Sequence, residues 1–253
     1  VCSLDLALGE GERSLSEAIT HHLARVLRLD RGARLVLFDG RGREQDATLT
    51  ELVASKRSLF ATVTLEGAPR DGVVADRARV HVLQGSAKGD KLERVVRACA
   101  ELGAVALWPV QCERSVARPD AARAEAQRAH LAAVSVSASE QCGRADLLDV
   151  EPLRTLVAAL DRARAVGLVG CVADESGGEP VRRWIERSAA RSSPLAVLVG
   201  PEGGLSDEER RIAVEAGFDR VSFGRRILRT EHAAAAFVAV ASALVGDGSR
   251  TDE

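Results

Sequence analysis

Leu195-Ala196-Val197-Leu198-Val199-Gly200-Pro201-Glu202-Gly203-Gly204-Leu205-Ser206 is the stretch on which the fold turns. Five consecutive apolar residues read as a strand buried on both faces, as in a parallel sheet covered by helices. The strand runs into a loop with Gly200, Gly203 and Gly204, which exposes backbone amides and lets a flat ligand approach closely. Ser206 then caps a helix that Gly217 closes. Ligands of open α/β sheets bind beyond the carboxyl ends of strands, so this loop is the first candidate site.

A second unusual strand end follows. Residues 220–223 read as a strand running into Gly224-Arg225-Arg226-Ile227-Leu228-Arg229-Thr230-Glu231, a charged loop that feeds an alanine-rich helix over 230–245. Upstream, strand and helix alternate. Residues 80–83 are a strand, and Asp90 caps a helix ending at Gly103, with Leu92, Val95, Val96, Cys99 and Leu102 on one face. A strand over 105–110, a long helix over 120–141, a helix over 153–162, a strand over 165–172 and a helix over 181–190 complete the series. Such alternation predicts an α/β domain with a mainly parallel sheet. Residues 1 to about 70 read differently: a helix over 16–27, then apolar runs over 33–38, 47–53 and 59–65, as in a small antiparallel β domain. Gly67-Ala68-Pro69-Arg70-Asp71-Gly72 is the expected boundary, giving domains 1–70 and 75–253.

Composition narrows the function classes. An apolar fraction of 46% and a charged fraction of 28% suit a globular protein. Aromatics at 3% and no tyrosine leave little for a base-stacking platform. With 35 basic and 37 acidic residues the net charge is −2, so any nucleic-acid contact has to be local. Arg25, Arg28, Arg31 and Arg34 form one candidate cluster, and Arg225, Arg226 and Arg229 another. Five widely separated cysteines and no signal peptide lead us to expect free thiols in a reducing cytoplasm, and no metal motif. Methionine is absent, so an initiator is expected upstream of Val1. The longest apolar run, 233–245, is too short to span a bilayer. Neither glycine-containing loop matches the dinucleotide fingerprint or the phosphate-loop pattern.

Taken together, Gly200-Pro201-Glu202-Gly203-Gly204-Leu205 and Arg226-Ile227-Leu228-Arg229-Thr230-Glu231 resemble the SPOUT class of RNA methyltransferases. The likeness is to the 16S ribosomal RNA (uracil(1498)-N3)-methyltransferase family, usually called RsmE. Ala87-Lys88-Gly89-Asp90-Lys91-Leu92-Glu93, Glu140-Gln141-Cys142-Gly143-Arg144, and His22 with Val26-Leu27-Arg28 extend it over nearly the whole chain. The resemblance implies a C-terminal domain with a deep trefoil knot and a small N-terminal PUA-like β-barrel domain. It also implies a homodimer, S-adenosyl-L-methionine as cofactor, and 16S rRNA of the small ribosomal subunit as partner. By motif position, Leu198, Gly200, Gly203, Gly204, Phe223, Ile227 and Leu228 bind the cofactor. Ala173, Asp174 and Glu175 approach its methionine part. His22, Arg28, Lys88, Lys91 and Arg144 contact RNA. One departure stands out: His232 occupies the place of the family's Thr after the Thr-Glu pair, where a bulkier ring would fill cofactor space or replace a hydroxyl bond.

The implied chemistry assigns roles. A sulfonium methyl is already activated, so the protein must align the reacting atoms and exclude water, without a metal. Uridine N3 is a poor nucleophile until its proton leaves, and the resulting charge spreads onto O2 and O4, where a fixed cation lowers the barrier. Arg229 is the expected cation, because its planar fork reaches a carbonyl oxygen or a phosphate; pairing with Glu231 is the competing role. Glu231 is the other catalytic candidate, as proton acceptor or as a dipole partner in the first helical turn. Two alternatives stay open: a SPOUT enzyme that methylates ribose 2′-OH, and an RNA-binding protein without turnover.

Overall fold

The chain divides into two units, and the computed structural model describes residues 1, 7–54, 58–75, 78–116 and 118–245. Unit 1 comprises Val1–Val74 and Ser139–Leu147. Its strands β1 (Gly11–Leu15), β2 (Arg34–Phe38), β3 (Arg43–Ala54) and β4 (Leu59–Asp71) pair antiparallel in the order β1-β4-β3-β2. The period of two along each strand sends Leu35, Leu37, Ala47, Leu49, Ala61, Val63 and Leu65 into one core and leaves Arg34, Val36 and Asp46 outside. Helix α1 (Glu17–His21) begins at Ser16, whose hydroxyl accepts from the Ile19 amide, and continues as a π turn over His22–Val26. The chain leaves that turn through Arg28 at φ 52°.

Two sequence expectations change here. Residues 67–71 belong to β4 and are not a linker. Their turn-forming residues instead mark a bulge, where the register shifts between Glu44 and Asp46 and Gly67 takes φ 64°. The polar groups of the stretch pair across the sheet: Gln45 donates to the Gly67 carbonyl at 2.7 Å, and Arg70 binds both Asp46 and Glu44. Secondly, Ser139–Leu147, read as part of the second domain, joins unit 1. Ala145 N–H donates to the Val73 carbonyl at 2.6 Å, and Gly42 N–H to the Ala145 carbonyl at 3.1 Å.

Unit 2 holds Ala75–Ala138 and Leu148–Glu253. In chain order its described elements are β5 (His81–Gly85), α2 (Lys91–Glu101), β6 (Ala106–Gln111), α3 (Ala121–Cys142, ending in unit 1), β7 (Asp149–Val150), β8 (Arg154–Thr155) and α4 (Leu156–Ala165). There follow β9 (Val169–Ala173), β10 (Glu179–Pro180), α5 (Val181–Ala189), β11 (Leu195–Val199), α6 (Asp207–Glu215), β12 (Asp219–Ser222) and α7 (Thr230–Val245). The sheet is parallel throughout, in the order β10-β12-β9-β11-β5-β6-β7, with β8 also on β6. Every residue of β11 is buried. One sheet face packs on α2, α5 and α7 around Trp184 and Phe237, the other on α4 and α6 around Trp108 and Leu160.

Helix starts follow local chemistry. Ser206 and Glu209 close a reciprocal capping box on α6, and Thr155 caps α4. Asp90 occupies the start of α2 but caps nothing, because its carboxylate accepts two bonds from Arg94, at 2.8 and 3.0 Å.

At the amino end of β5, His81 packs edge-on to Trp108 with ring centroids 5.6 Å apart. Its Nδ1 is buried without a hydrogen-bond partner among the described residues. Burial, helped by the charge of Arg79, pushes its pKa down to about 4. The unfolded imidazole, with its ordinary value near 6.5, binds a proton that the folded one refuses. Stability is therefore full above about pH 6.5 and declines as pH falls towards 4. His81→Gln flattens that part of the urea-midpoint profile; an unchanged slope shows that other groups set it.

Candidate active site

β9, β11 and β5 bring their carboxyl ends together where the strand order departs from sequence order, and a cavity of about 500 Å³ opens there in front of α7. Its floor and rim are Val199–Leu205, its sides Ala173, Glu175 and Arg210, and its outer wall Ile227–Glu231 with Ala233; Lys91 reaches in from α2. The two strand ends singled out in the sequence thus face each other across one space.

The glycine-rich loop needs its glycines for different reasons. Gly204 adopts φ 68°, which costs any residue with a Cβ. At Gly200 an added Cβ would sit 2.9 Å from the Leu205 nitrogen, so the loop could not close on itself. Side chains from elsewhere then fix the loop. Glu202 accepts the Lys91 ammonium at 2.9 Å and the Lys88 amide at 3.1 Å. Burial opposes ionisation of Glu202, yet Lys91 and the backbone N–H groups outweigh it and hold the carboxyl below its ordinary range. Arg114 donates to the Gly203 carbonyl at 3.0 Å, and Arg210 to the Leu205 carbonyl at 2.8 Å.

The wall after β9 is equally tied. The Asp174 side chain is buried and accepts from the Ser176 amide and hydroxyl and from Arg220. These bonds hold its carboxyl below the ordinary range despite burial. Asp174 is therefore a structural anchor that presents Ala173 and Glu175, and it does not itself face the cavity.

Charge in the cavity is mostly neutralised in pairs: Lys91 by Glu202, and Arg210 by Asp207 at 2.6 Å. The exceptions cluster at α7. Glu231 is only 8% exposed, faces the cavity, and has no side-chain hydrogen bond or ion pair among the described residues. Arg229 beside it is exposed and equally without such a partner, so the expected alternative of an Arg229–Glu231 pair is absent. Ile227, at 80% exposure, offers an apolar side chain to whatever fills the rim.

Of the residues assigned from sequence, Gly200, Gly203, Gly204, Ile227, Leu228, Arg229, Glu231 and Lys91 line the cavity. Leu198 and Phe223 do not. Strand alternation turns Leu198 into the core, leaving Val199 to reach the cavity, and Phe223 packs against the α2/α5/α7 core. Lys88 contributes its amide to Glu202 while its side chain is exposed. His232 is exposed and outside the cavity lining, so its ring takes no cofactor space. In unit 1, Arg28 is exposed and His22 lies 3.5 Å from Glu140. Arg144 is not a surface cation: its side chain is 4% exposed and bonds Asp146 at 2.8 Å, fixing its own segment. Sequence reasoning missed Val199 and Arg210, which line the cavity, and Gln84 and Arg114, whose partners Thr230 and Gly203 lie far away along the chain.

The lining suits an adenosyl thioether. It combines apolar strips (Val199, Leu205, Ile227, Leu228) with backbone amides, and its volume falls in the range of small-molecule sites. Among the described residues no helix is long and apolar enough to cross a membrane, and no cluster of three or more His, Cys, Asp or Glu could hold a metal.

Comparison with known proteins agrees with this geometry. Residues 75–242 match the RNA methyltransferase domain family, and residues 15–64 the RNA methyltransferase PUA domain family. Ribosomal RNA small subunit methyltransferase E of Mycobacterium tuberculosis is 31% identical over 91% of this chain and 87% of its own. The protein of that name from Bacillus subtilis is 28% identical over 87% of this chain and 85% of its own. Among solved structures, ribosomal RNA small subunit methyltransferase E of Neisseria gonorrhoeae bound to S-adenosyl methionine superposes with a TM-score of 0.88 at 29% identity, covering 98% of both chains. A Legionella pneumophila methyltransferase with bound SAM gives 0.87 at 26% identity, again over 98% of both. With its α/β sheet, its glycine-rich loop and its Arg-Thr-Glu helix start all in place, the chain belongs to the RNA methyltransferase family of SPOUT fold that carries a PUA domain, the RsmE family.

Proposed function

We propose that the protein transfers the methyl group of S-adenosylmethionine to ring N3 of a uridine in 16S rRNA, acting in the cytoplasm as a homodimer on the small ribosomal subunit. The observation that carries the reading is the convergence of the glycine-rich loop with Arg229 and Glu231, two charged side chains that have no side-chain partner among the described residues, on one cavity.

The cofactor, when bound, supplies an activated methyl on a sulfonium. The chain does the rest. Gly200, Gly203 and Gly204 bring backbone close to the adenosine, with Val199, Leu205, Ile227 and Leu228 excluding water around it. Glu231 takes the N3 proton, since its carboxylate lines the cavity and is engaged by no side chain among the described residues. Arg229 places its fork against the uracil carbonyl that gathers charge. RNA is oriented by unit 1, where Arg25, Arg28, Arg31 and Arg34 are all exposed, together with His22. Lys88, exposed and bonded through its amide to Glu202, contributes a further cation. A deep trefoil knot in unit 2 is part of the same reading, and rests on membership of the RNA methyltransferase family.

Nucleoside mass spectrometry of small-subunit particles treated with protein and cofactor tests the reading. Ring-methylated uridine is expected; ribose-methylated product, or none, overturns it. Cofactor choice is a separate prediction. The cavity offers no phosphate-binding pattern, so calorimetry shows S-adenosylhomocysteine binding well ahead of ATP or NAD. ATP binding as tight would contradict the assignment.

A further inference from the structure

Gln84 is the last residue but one of β5 and is fully buried, a costly place for an amide unless it is bonded. In the parallel register of β5 and β11 it lies beside Val199, the residue before Gly200. Its Nε2 donates to the Thr230 hydroxyl at 2.8 Å, and that hydroxyl donates to the Gly200 carbonyl at 2.6 Å. The same Nε2 lies 3.2 Å from the Gly85 carbonyl and 3.5 Å from that of Gly200. Gly85 itself touches the loop: a Cβ there would stand 2.4 Å from the Pro201 nitrogen. The end of β5 is thus the seat on which the glycine-rich loop and the start of α7 both rest.

We propose that Gln84 is a positioning residue, acting through Thr230 to hold Arg229 and Glu231 in register with the glycine-rich loop. The inference rests on the methyl-transfer reading above. Thr230 stands between the two reactive side chains and opens α7, so any drift of Thr230 carries both with it. Its hydroxyl could rotate freely by itself. With Nε2 of Gln84 occupying one lone pair of Oγ1, the hydroxyl proton is directed to the Gly200 carbonyl, and the helix start and loop become one unit. In-line transfer is sensitive to such placement, since a misplacement of about 1 Å costs about 10²-fold in rate.

Gln84→Met removes the donor at similar volume. Thr230→Val removes both bonds, and Thr230→Ser keeps the hydroxyl. The measurements are kcat and KM on small-subunit particles, S-adenosylhomocysteine affinity by calorimetry, and amide hydrogen exchange at the start of α7 in ligand-free protein. Gln84→Met is expected to lower kcat about 10-fold, to leave cofactor affinity within about 3-fold, and to speed exchange of the first α7 amides. Thr230→Ser recovers most of the kcat lost in Thr230→Val. The double variant Gln84→Met/Thr230→Val is no worse than Thr230→Val alone, because both changes cut one chain of bonds. Wild-type kcat and exchange in Gln84→Met, or fully additive losses, overturn the proposal. If Gln84→Met fails to fold, the two Thr230 variants decide it: equal kcat in both overturns it. A wild-type protein that methylates no RNA overturns the functional reading instead, while the exchange data still show whether Gln84 holds the helix start.

Discussion

Arg229→Ala lowers kcat by about 10²-fold or more while leaving S-adenosylhomocysteine affinity within a few-fold, the pattern of a group that acts on the transition state. Three observations lead to this split. The guanidinium is exposed at the cavity wall and makes no hydrogen bond or ion pair among the described residues, so the fold does not use it. The loop proposed to hold the cofactor is fixed by other side chains: Lys91, Arg114, Arg210 and Thr230. The backbone carbonyl of Arg229 accepts from His232 and Ala233, and alanine preserves both bonds. Stability should accordingly change little. Arg229→Lys rescues poorly, because a point ammonium does not reproduce the planar fork against a delocalised uracil anion. Single-turnover transfer from labelled cofactor at saturating RNA measures the effect. Normal turnover in the alanine variant would assign Arg229 to RNA affinity or to none of the reaction.

How far the site was legible in the sequence depends on the range of each interaction. The glycine-rich loop and the Arg-Thr-Glu turn are local patterns, and the strand before each and the helix after it stand where the sequence places them. Leu198 packs in the core while Val199 lines the cavity, a difference the sequence hides because a buried strand has no polar face to reveal which side is inward. Arg144 looks in sequence like any exposed arginine at a helix end; only the fold shows Asp146 beside it in a segment docked on unit 1. Gln84 is harder still. Its partner Thr230 lies 146 residues away, and one polar residue in the fourth place of a five-residue strand carries no mark that separates function from a strand end. The cluster at 67–72 misled in the opposite direction, because glycine and proline make bulges as well as boundaries.

A truncated chain of residues 75–253 is expected to bind S-adenosylhomocysteine nearly as well as the whole protein and to lose most methylation of the ribosomal substrate. Every residue lining the cavity, from Lys91 to Ala233, lies in unit 2, as do the strands and helices that position them. The exposed arginines at 25, 28, 31 and 34 lie in unit 1, and a net charge of −2 leaves no diffuse field to replace them. Loss should therefore appear as weakened RNA binding, with a raised KM and a smaller salt dependence. Truncation also strips Ser139–Leu147 of its partners: Ala145 loses the Val73 carbonyl and the Gly42 amide, and Leu147 the Gly40 carbonyl. The end of α3 then frays, a cost in stability distinct from the loss of RNA contacts. Charge reversal separates the two effects, because Arg28→Glu with Arg31→Glu changes the exposed surface and leaves those backbone bonds intact. The paired measurement is calorimetry for the cofactor and tritium transfer to RNA. Full methylation by the truncated chain, or by the charge-reversed protein, would move RNA positioning out of unit 1. Lost cofactor binding in a folded truncated chain would place part of the pocket outside unit 2.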